Sequence, residues 1–183
     1  QPYIEINSMC NLSCLYCYHE ERENCRLPLD VICTLVDSLK KLGANDIKIS
    51  GGEPMLHTDF FEILRYIKKC GLKTNVVTNG TKIDLNSAQL LKELCDQLVI
   101  SMDSWDESVN NTTRPNSYNL VLKSLESLQK VKAQNYYIGV VATKFNSDII
   151  PFVDFCKKYD IQGIIFESIH REGKAKEIFD GFF

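Results

Sequence analysis

The chain has 183 residues, 44% hydrophobic and 25% charged, with nine glycines and five prolines, which excludes a disordered, collagen-like or low-complexity protein. Twenty-one basic against 24 acidic side chains leave a formal charge of −3, so a strongly basic nucleic-acid surface is not expected. No apolar run approaches the ~20 residues of a membrane span, and no signal-peptide pattern opens the chain. Its first residue is Gln1 rather than Met, which reads as a processed chain or one cut from a longer protein. Eight cysteines in a chain that is neither small nor loop-rich do not suggest a secreted disulfide framework, and a reducing, cytoplasmic setting is expected.

Strands and helices alternate along the sequence. Tyr3–Ile6 reads as a short strand and Pro28–Leu42 as a helix with apolar residues at helical spacing, stopped by Gly43. Asp46–Ser50 is the next strand, followed by a helix over Asp59–Cys70 that Gly71 ends. Leu72–Thr78 is a third strand, Ser87–Cys95 a short helix and Gln97–Met102 a fourth strand, with Asp106 and Glu107 read as a solvated face. A longer helix over Ser117–Lys132, a strand over Tyr136–Thr143, a helix over Ile149–Tyr159 and a strand over Gly163–Ile169 complete the series. Trp105, Tyr136 and Tyr137 read as packing residues, and His170 as a surface histidine. Six strands and five helices argue for one α/β unit of parallel βα repeats, either an open doubly wound sheet or a barrel or part of one. Apolar runs such as Asn75–Thr78 suggest strands covered on both faces. In either architecture function belongs in the loops after the strand C-termini.

The loop after the first strand carries Cys10, Cys14 and Cys17. Three thiolates in one loop suit a soft metal or an iron–sulfur cluster. A cysteine stripe on a helix face is one alternative, and a zinc site completed by His19 or Cys25 is another. A [4Fe–4S] cluster normally takes four thiolates, so three leave one iron open to a small molecule. The remaining five cysteines are scattered. Cys33, Cys70, Cys95 and Cys156 fall in helical segments, where a free cysteine is a small buried hydrophobe.

This CxxxCxxC pattern, with the aromatic Tyr16 before its third cysteine and a βα series behind it, resembles the radical S-adenosylmethionine enzymes. The resemblance implies a partial (βα)6 TIM-like barrel, a [4Fe–4S] cluster on Cys10, Cys14 and Cys17, and S-adenosylmethionine chelated to the open iron. Reductive cleavage of that cofactor gives the family its 5′-deoxyadenosyl radical, which abstracts a substrate hydrogen. Gly51, Gly52, Glu53 and Pro54 look like the family's GGEP element, which the resemblance assigns to the cofactor's amino group. Thr78 and Asn79, before Gly80, resemble its TNG element at the site edge. Ser101 and Asp103 resemble its S-x-D element, although Asp-Ser-Trp stands where Asp-Gly-Pro is usual. Arg114 matches an arginine that reaches the cofactor carboxylate, Asn146 a polar position after strand five or a helix cap, and Gly173–Ala175 a sixth-strand exit element.

Local phrasing is most similar to the branch that modifies peptides and proteins, whose members often carry a C-terminal SPASM or twitch domain. Only ten residues follow Gly173 and none is cysteine, so residues 1–183 are expected to be a single catalytic core, either taken from a longer chain or a compact stand-alone member. The resemblance implies a peptide or protein substrate and an electron donor such as flavodoxin or ferredoxin. An activating enzyme or small-molecule-modifying member is the alternative, and a non-catalytic iron–sulfur or zinc-binding module is the reading of another class.

Overall fold

The computed structural model describes residues 1–19 and 24–182. Six strands form one parallel sheet: β1 (Tyr3–Glu5), β2 (Asp46–Ser50), β3 (Lys73–Thr78), β4 (Gln97–Ser101), β5 (Tyr136–Val141) and β6 (Ile164–Glu167). Their spatial order is their chain order, 1-2-3-4-5-6, with no reversal. A doubly wound sheet reverses direction midway to place helices on both faces. An unreversed series of right-handed crossovers keeps its helices on one side and curls the sheet. Because among the described residues β1 and β6 pair only with β2 and β5 respectively, the result is a partial barrel.

The helices are α1 (Leu29–Lys41), α2 (Phe60–Lys69), α3 (Leu85–Leu94), α4 (Glu107–Thr113), α5 (Tyr118–Lys130), α6 (Ile150–Lys158) and α7 (Ala175–Phe182). Five were expected from periodicity, with boundaries that hold to within one or two residues. The other two, α4 and α7, are corrections. Helix α4 is polar, and Asp106, read as a solvated face, is in fact its N-cap, accepting from the Val109 N–H at 3.0 Å. Helix α3 begins at Leu85 rather than Ser87 because Asp84 and Ser87 form a reciprocal capping box, each backbone N–H 2.8 Å from the other's side chain.

The expectation that strands are covered on both faces holds for β4, where Leu98, Val99 and Ile100 are all buried, and is corrected for β5. In β5, Tyr136, Ile138 and Val140 are buried while Tyr137, Gly139 and Val141 are half-buried. The outward face packs under the helices, where Ile47, Ile49, Val76, Leu98, Ile100 and Ile138 build the core. The inward face lines the lumen of the open barrel, so burial alternates as side chains alternate. Tyr136 is in the core as expected, and its hydroxyl donates to the Tyr159 carbonyl. Trp105, expected to pack, is 40% exposed. Cys95 and Cys156 are buried; Cys33 and Cys70 are only half-buried.

Candidate functional site

The segment from Asn7 to Arg26 leaves β1 and returns to it. Ser8 N–H donates to the Cys25 carbonyl at 3.0 Å and Leu27 N–H to that of Ile6 at 2.9 Å, tying both ends of the loop. Between them residues 10–17 are irregular, with a turn at 15–16, so the cysteines do not form a helical stripe. Instead all three line one cavity of about 230 Å³ at the C-terminal ends of the strands. Tyr16, Gly51, Gly52, Thr78, Asn79, Ser101 and Arg114 line the same cavity. Ten of the twelve site residues expected from sequence therefore converge there. A larger groove of about 880 Å³ between α5, α6 and β6 lies away from the cysteines and gathers no comparable set of reactive groups.

The remaining two, Glu53 and Asp103, stand behind the cavity wall. Glu53 is fully buried, and its carboxylate accepts from Thr78 Oγ1 at 2.7 Å, Asn79 N–H at 2.7 Å and Met55 N–H at 3.0 Å. Burial pushes this carboxyl above its ordinary range, against the pull of those three donors. It joins the exits of β2 and β3. Asp103, 1% exposed, joins four segments: it accepts from Val141 N–H at 3.1 Å, Thr113 Oγ1 at 2.6 Å, Arg114 Nε at 3.0 Å and the Tyr16 hydroxyl.

Arg114 is nearly buried, paired with Asp103, and its guanidinium carbon stands 5.4 Å from the Tyr16 ring centroid. Burial opposes its charge, but Asp103, Tyr16 and Cys14 outweigh that and hold it firmly cationic. Its Nη1 lies 3.8 Å from Cys14 Sγ. Burial raises the Cys14 thiol above its usual range, while Arg114 favours the thiolate that iron requires. Asn79 plays a parallel part at Cys10, with Nδ2 at 3.7 Å from the sulfur and 2.9 Å from Asn11 Oδ1. Burial, chiefly, raises the Tyr16 hydroxyl well above the ordinary tyrosine range, so it is a donor.

The two glycines are required by close approach. A Cβ on Gly52 would stand 2.5 Å from the Ser8 carbonyl oxygen and closer still to that of Met9, and one on Gly51 would strike the Asn7 carbonyl. The GG loop thus lies directly against the cysteine loop. Gly173 does the same from the other side: its φ is +57° and a Cβ there would meet the Tyr18 and Cys17 carbonyls, while Lys174 N–H donates to Cys17 O at 2.9 Å. Asn146 does not cap α6. Its Nδ2 donates to the carbonyls of Asp103 and Val141, locking the β4 and β5 exits together.

The geometry fits a cluster held by three cysteines. The thiols line one chamber, and donors approach two of the sulfurs. Cys25 is exposed and outside that chamber. Among the described residues no three His, Cys, Asp or Glu side chains, those of Cys10, Cys14 and Cys17 included, converge closely enough to hold a single metal ion. Also among the described residues, no helix is long and apolar enough to cross a membrane. Sequence reading missed Lys48, Tyr3 and Glu167, which line the cavity, as does His170, read from sequence as a surface histidine. The available signal was strand parity, since Lys48 shares the inward face of β2 with Ser50.

A family model described as the Radical SAM superfamily matches residues 4–156. A probable GTP 3′,8-cyclase of Methanococcus maripaludis is 30% identical over 179 residues, which cover 94% of this chain and 60% of that protein. The GTP 3′,8-cyclase of Limosilactobacillus fermentum is 29% identical over 168 residues, 86% of this chain and 51% of that protein. The chain thus spans about half to three-fifths of the length of these curated relatives. Among solved structures, Streptococcus suis SuiB bound to precursor peptide SuiA has a TM-score of 0.83 at 22% identity, covering 92% of this chain and 39% of that one, a likeness of fold.

Proposed function

This chain belongs to the radical SAM superfamily of enzymes, and on that premise we propose that residues 1–183 form a core that binds a [4Fe–4S] cluster and S-adenosylmethionine and cleaves the latter reductively. The observation that carries the reading is the convergence of Cys10, Cys14 and Cys17 with the GG loop, Thr78-Asn79, Ser101 and Arg114 on one cavity. When bound, such a cluster supplies the electron that splits the cofactor's sulfonium, the source of 5′-deoxyadenosine.

The chain's own residues hold and orient. Cys10, Cys14 and Cys17 supply the three thiolates. Gly51 and Gly52 let the loop after β2 lie against the cysteine loop, and Arg114 offers its remaining guanidinium edge to the cofactor's carboxylate. Glu53 and Asp103, expected from sequence to touch the cofactor, are hydrogen-bonded here to residues that line the cavity, Glu53 to Thr78 and Asn79 and Asp103 to Arg114 and Tyr16. A carbon radical formed there would have to be shielded from water and held against one substrate hydrogen.

For the substrate, the relatives named GTP 3′,8-cyclase support a small molecule of the purine nucleotide class. The peptide or protein substrate expected from sequence is the second reading, favoured by the fold shared with SuiB. A flavodoxin- or ferredoxin-type donor is the proposed reductant. The test is calorimetric titration of the anaerobically reconstituted protein with S-adenosylmethionine, then with GTP or acidic and neutral peptides. Saturable, cluster-dependent cofactor binding is expected, followed by saturable GTP binding. Binding of peptide but not GTP would favour the second reading, and absence of cofactor binding over an intact cluster would overturn the proposal.

A further inference from the structure

Two chains of hydrogen bonds, one buried and one part-buried, run to the cluster loop, each beginning at a carboxylate and ending at a cysteine sulfur. On one side Glu53 accepts the Asn79 backbone N–H at 2.7 Å. The Asn79 side chain is then set by Thr81, whose N–H and Oγ1 donate to Asn79 Oδ1 at 2.9 and 2.7 Å. With that oxygen engaged, Nδ2 faces Asn11 and the Cys10 sulfur. On the other side Asp103, itself anchored by Val141, Thr113 and Tyr16, takes Arg114 Nε and leaves Nη1 toward the Cys14 sulfur. Each carboxylate is essentially withdrawn from solvent, and neither lines the cavity.

We infer that Glu53 and Asp103 are positioning residues that hold Asn79 and Arg114 as donors to the Cys10 and Cys14 sulfurs, and that these two donors raise the reduction potential of the cluster. The inference rests on the cluster assignment proposed above. Its physical basis is direct. Reduction adds negative charge shared between cluster and thiolates, and an N–H aimed at a ligand sulfur stabilises the reduced state more than the oxidised one. Arg114 adds a full positive charge to its hydrogen bond, so its branch contributes the larger shift. The branches share no residue, so their effects are independent.

The experiment uses the reconstituted protein, poised anaerobically at stepped potentials with mediators, the reduced cluster being followed by electron paramagnetic resonance. Asn79→Leu and Arg114→Met are each expected to move the midpoint to more negative potential, Arg114→Met further. Thr78→Val, which removes a donor to Glu53 without changing any charge, should shift it in the same sense as Asn79→Leu, with no added effect in the double variant. Thr113→Val, which removes a donor to Asp103, should relate to Arg114→Met in the same way, whereas Asn79→Leu combined with Arg114→Met should add. A role confined to folding would lower stability and leave the midpoint unmoved. If Asn79→Leu fails to assemble a cluster, Thr81→Val removes one of the contacts that fix the Asn79 amide and is expected to give a smaller negative shift. Unchanged midpoints over an intact cluster, or additivity within a branch, would overturn the inference alone. A parent protein with no reducible cluster signal would overturn the cluster assignment with it.

Discussion

Gly52→Ala tests how tightly the loop after β2 is pressed against the cysteine loop. Gly52 N–H donates to Asn7 O at 2.8 Å and Glu53 N–H to Met9 O at 2.6 Å, so the two loops are hydrogen-bonded backbone to backbone. A methyl group at Gly52 would lie 2.5 Å from Ser8 O and 2.6 Å from the Met9 carbonyl carbon. Ordinary van der Waals separation is about 3.5 Å, so the segment leading into Cys10 must retreat by roughly 1 Å. Backbone on both sides leaves no flexible side chain to yield. Loss of the two hydrogen bonds costs about 1 kcal/mol each, and overpacking adds ~1–3 kcal/mol. The sum, ~3–5 kcal/mol, is a large part of the ~5–15 kcal/mol that keeps a domain folded. Urea unfolding of the apoprotein should show a lower midpoint at unchanged slope, and anaerobic reconstitution should load less iron than the parent. Gly181→Ala, whose added Cβ meets nothing within 4 Å and replaces a helical glycine, is the control and should lower neither the midpoint nor the iron content. A Gly52→Ala protein with the parent's midpoint and full iron content would refute the packing argument.

Other outcomes follow from the same structure. Replacing Cys10, Cys14 or Cys17 by Ala should abolish iron loading while Cys70→Ala does not, as read by iron and sulfide analysis. Arg114→Met should weaken S-adenosylmethionine binding by roughly tenfold with the cluster retained, since a charge-assisted hydrogen bond contributes about 1.5–3 kcal/mol. Asp84→Ala should cost the apoprotein about 1 kcal/mol through loss of the α3 cap. Hydrogen bonds from the Ser87 N–H and hydroxyl lower the Asp84 carboxyl below its ordinary value, so this contribution is present above the unfolded carboxyl's pKa. It disappears as pH falls through the lowered folded value, and the stability difference between Asp84→Ala and the parent should vanish there in acid.

Much of this architecture is legible from local pattern. Helices such as α2, with Phe60, Ile63, Leu64 and Ile67 on its buried face and Lys68-Lys69 before Gly71, announce both their face and their end. Helix α4 was invisible because ESVNNTT has no apolar stripe; its reason to form is a cap at Asp106 and buried hydrogen bonds through Asn110 and Thr113. The cysteine loop was legible because its chemistry is local, three thiols within eight residues. The positions of Glu53 and Asp103 were not. Sequence marks them as conspicuous carboxylates after strands two and four, but only the folded chain shows that Thr78, Asn79, Met55, Thr113 and Arg114 occupy their oxygens. The choice between doubly wound sheet and barrel likewise waited on strand order, a property that no single βα repeat carries.

The central claim is that this cavity carries a cluster able to break S-adenosylmethionine. The anaerobically reconstituted, chemically reduced protein is incubated with the cofactor, and 5′-deoxyadenosine and methionine are measured by mass spectrometry beside a Cys14→Ala control. The account predicts equimolar 5′-deoxyadenosine and methionine from the parent chain and neither from the control. A parent chain that holds a reducible cluster and the cofactor yet forms no 5′-deoxyadenosine would contradict it.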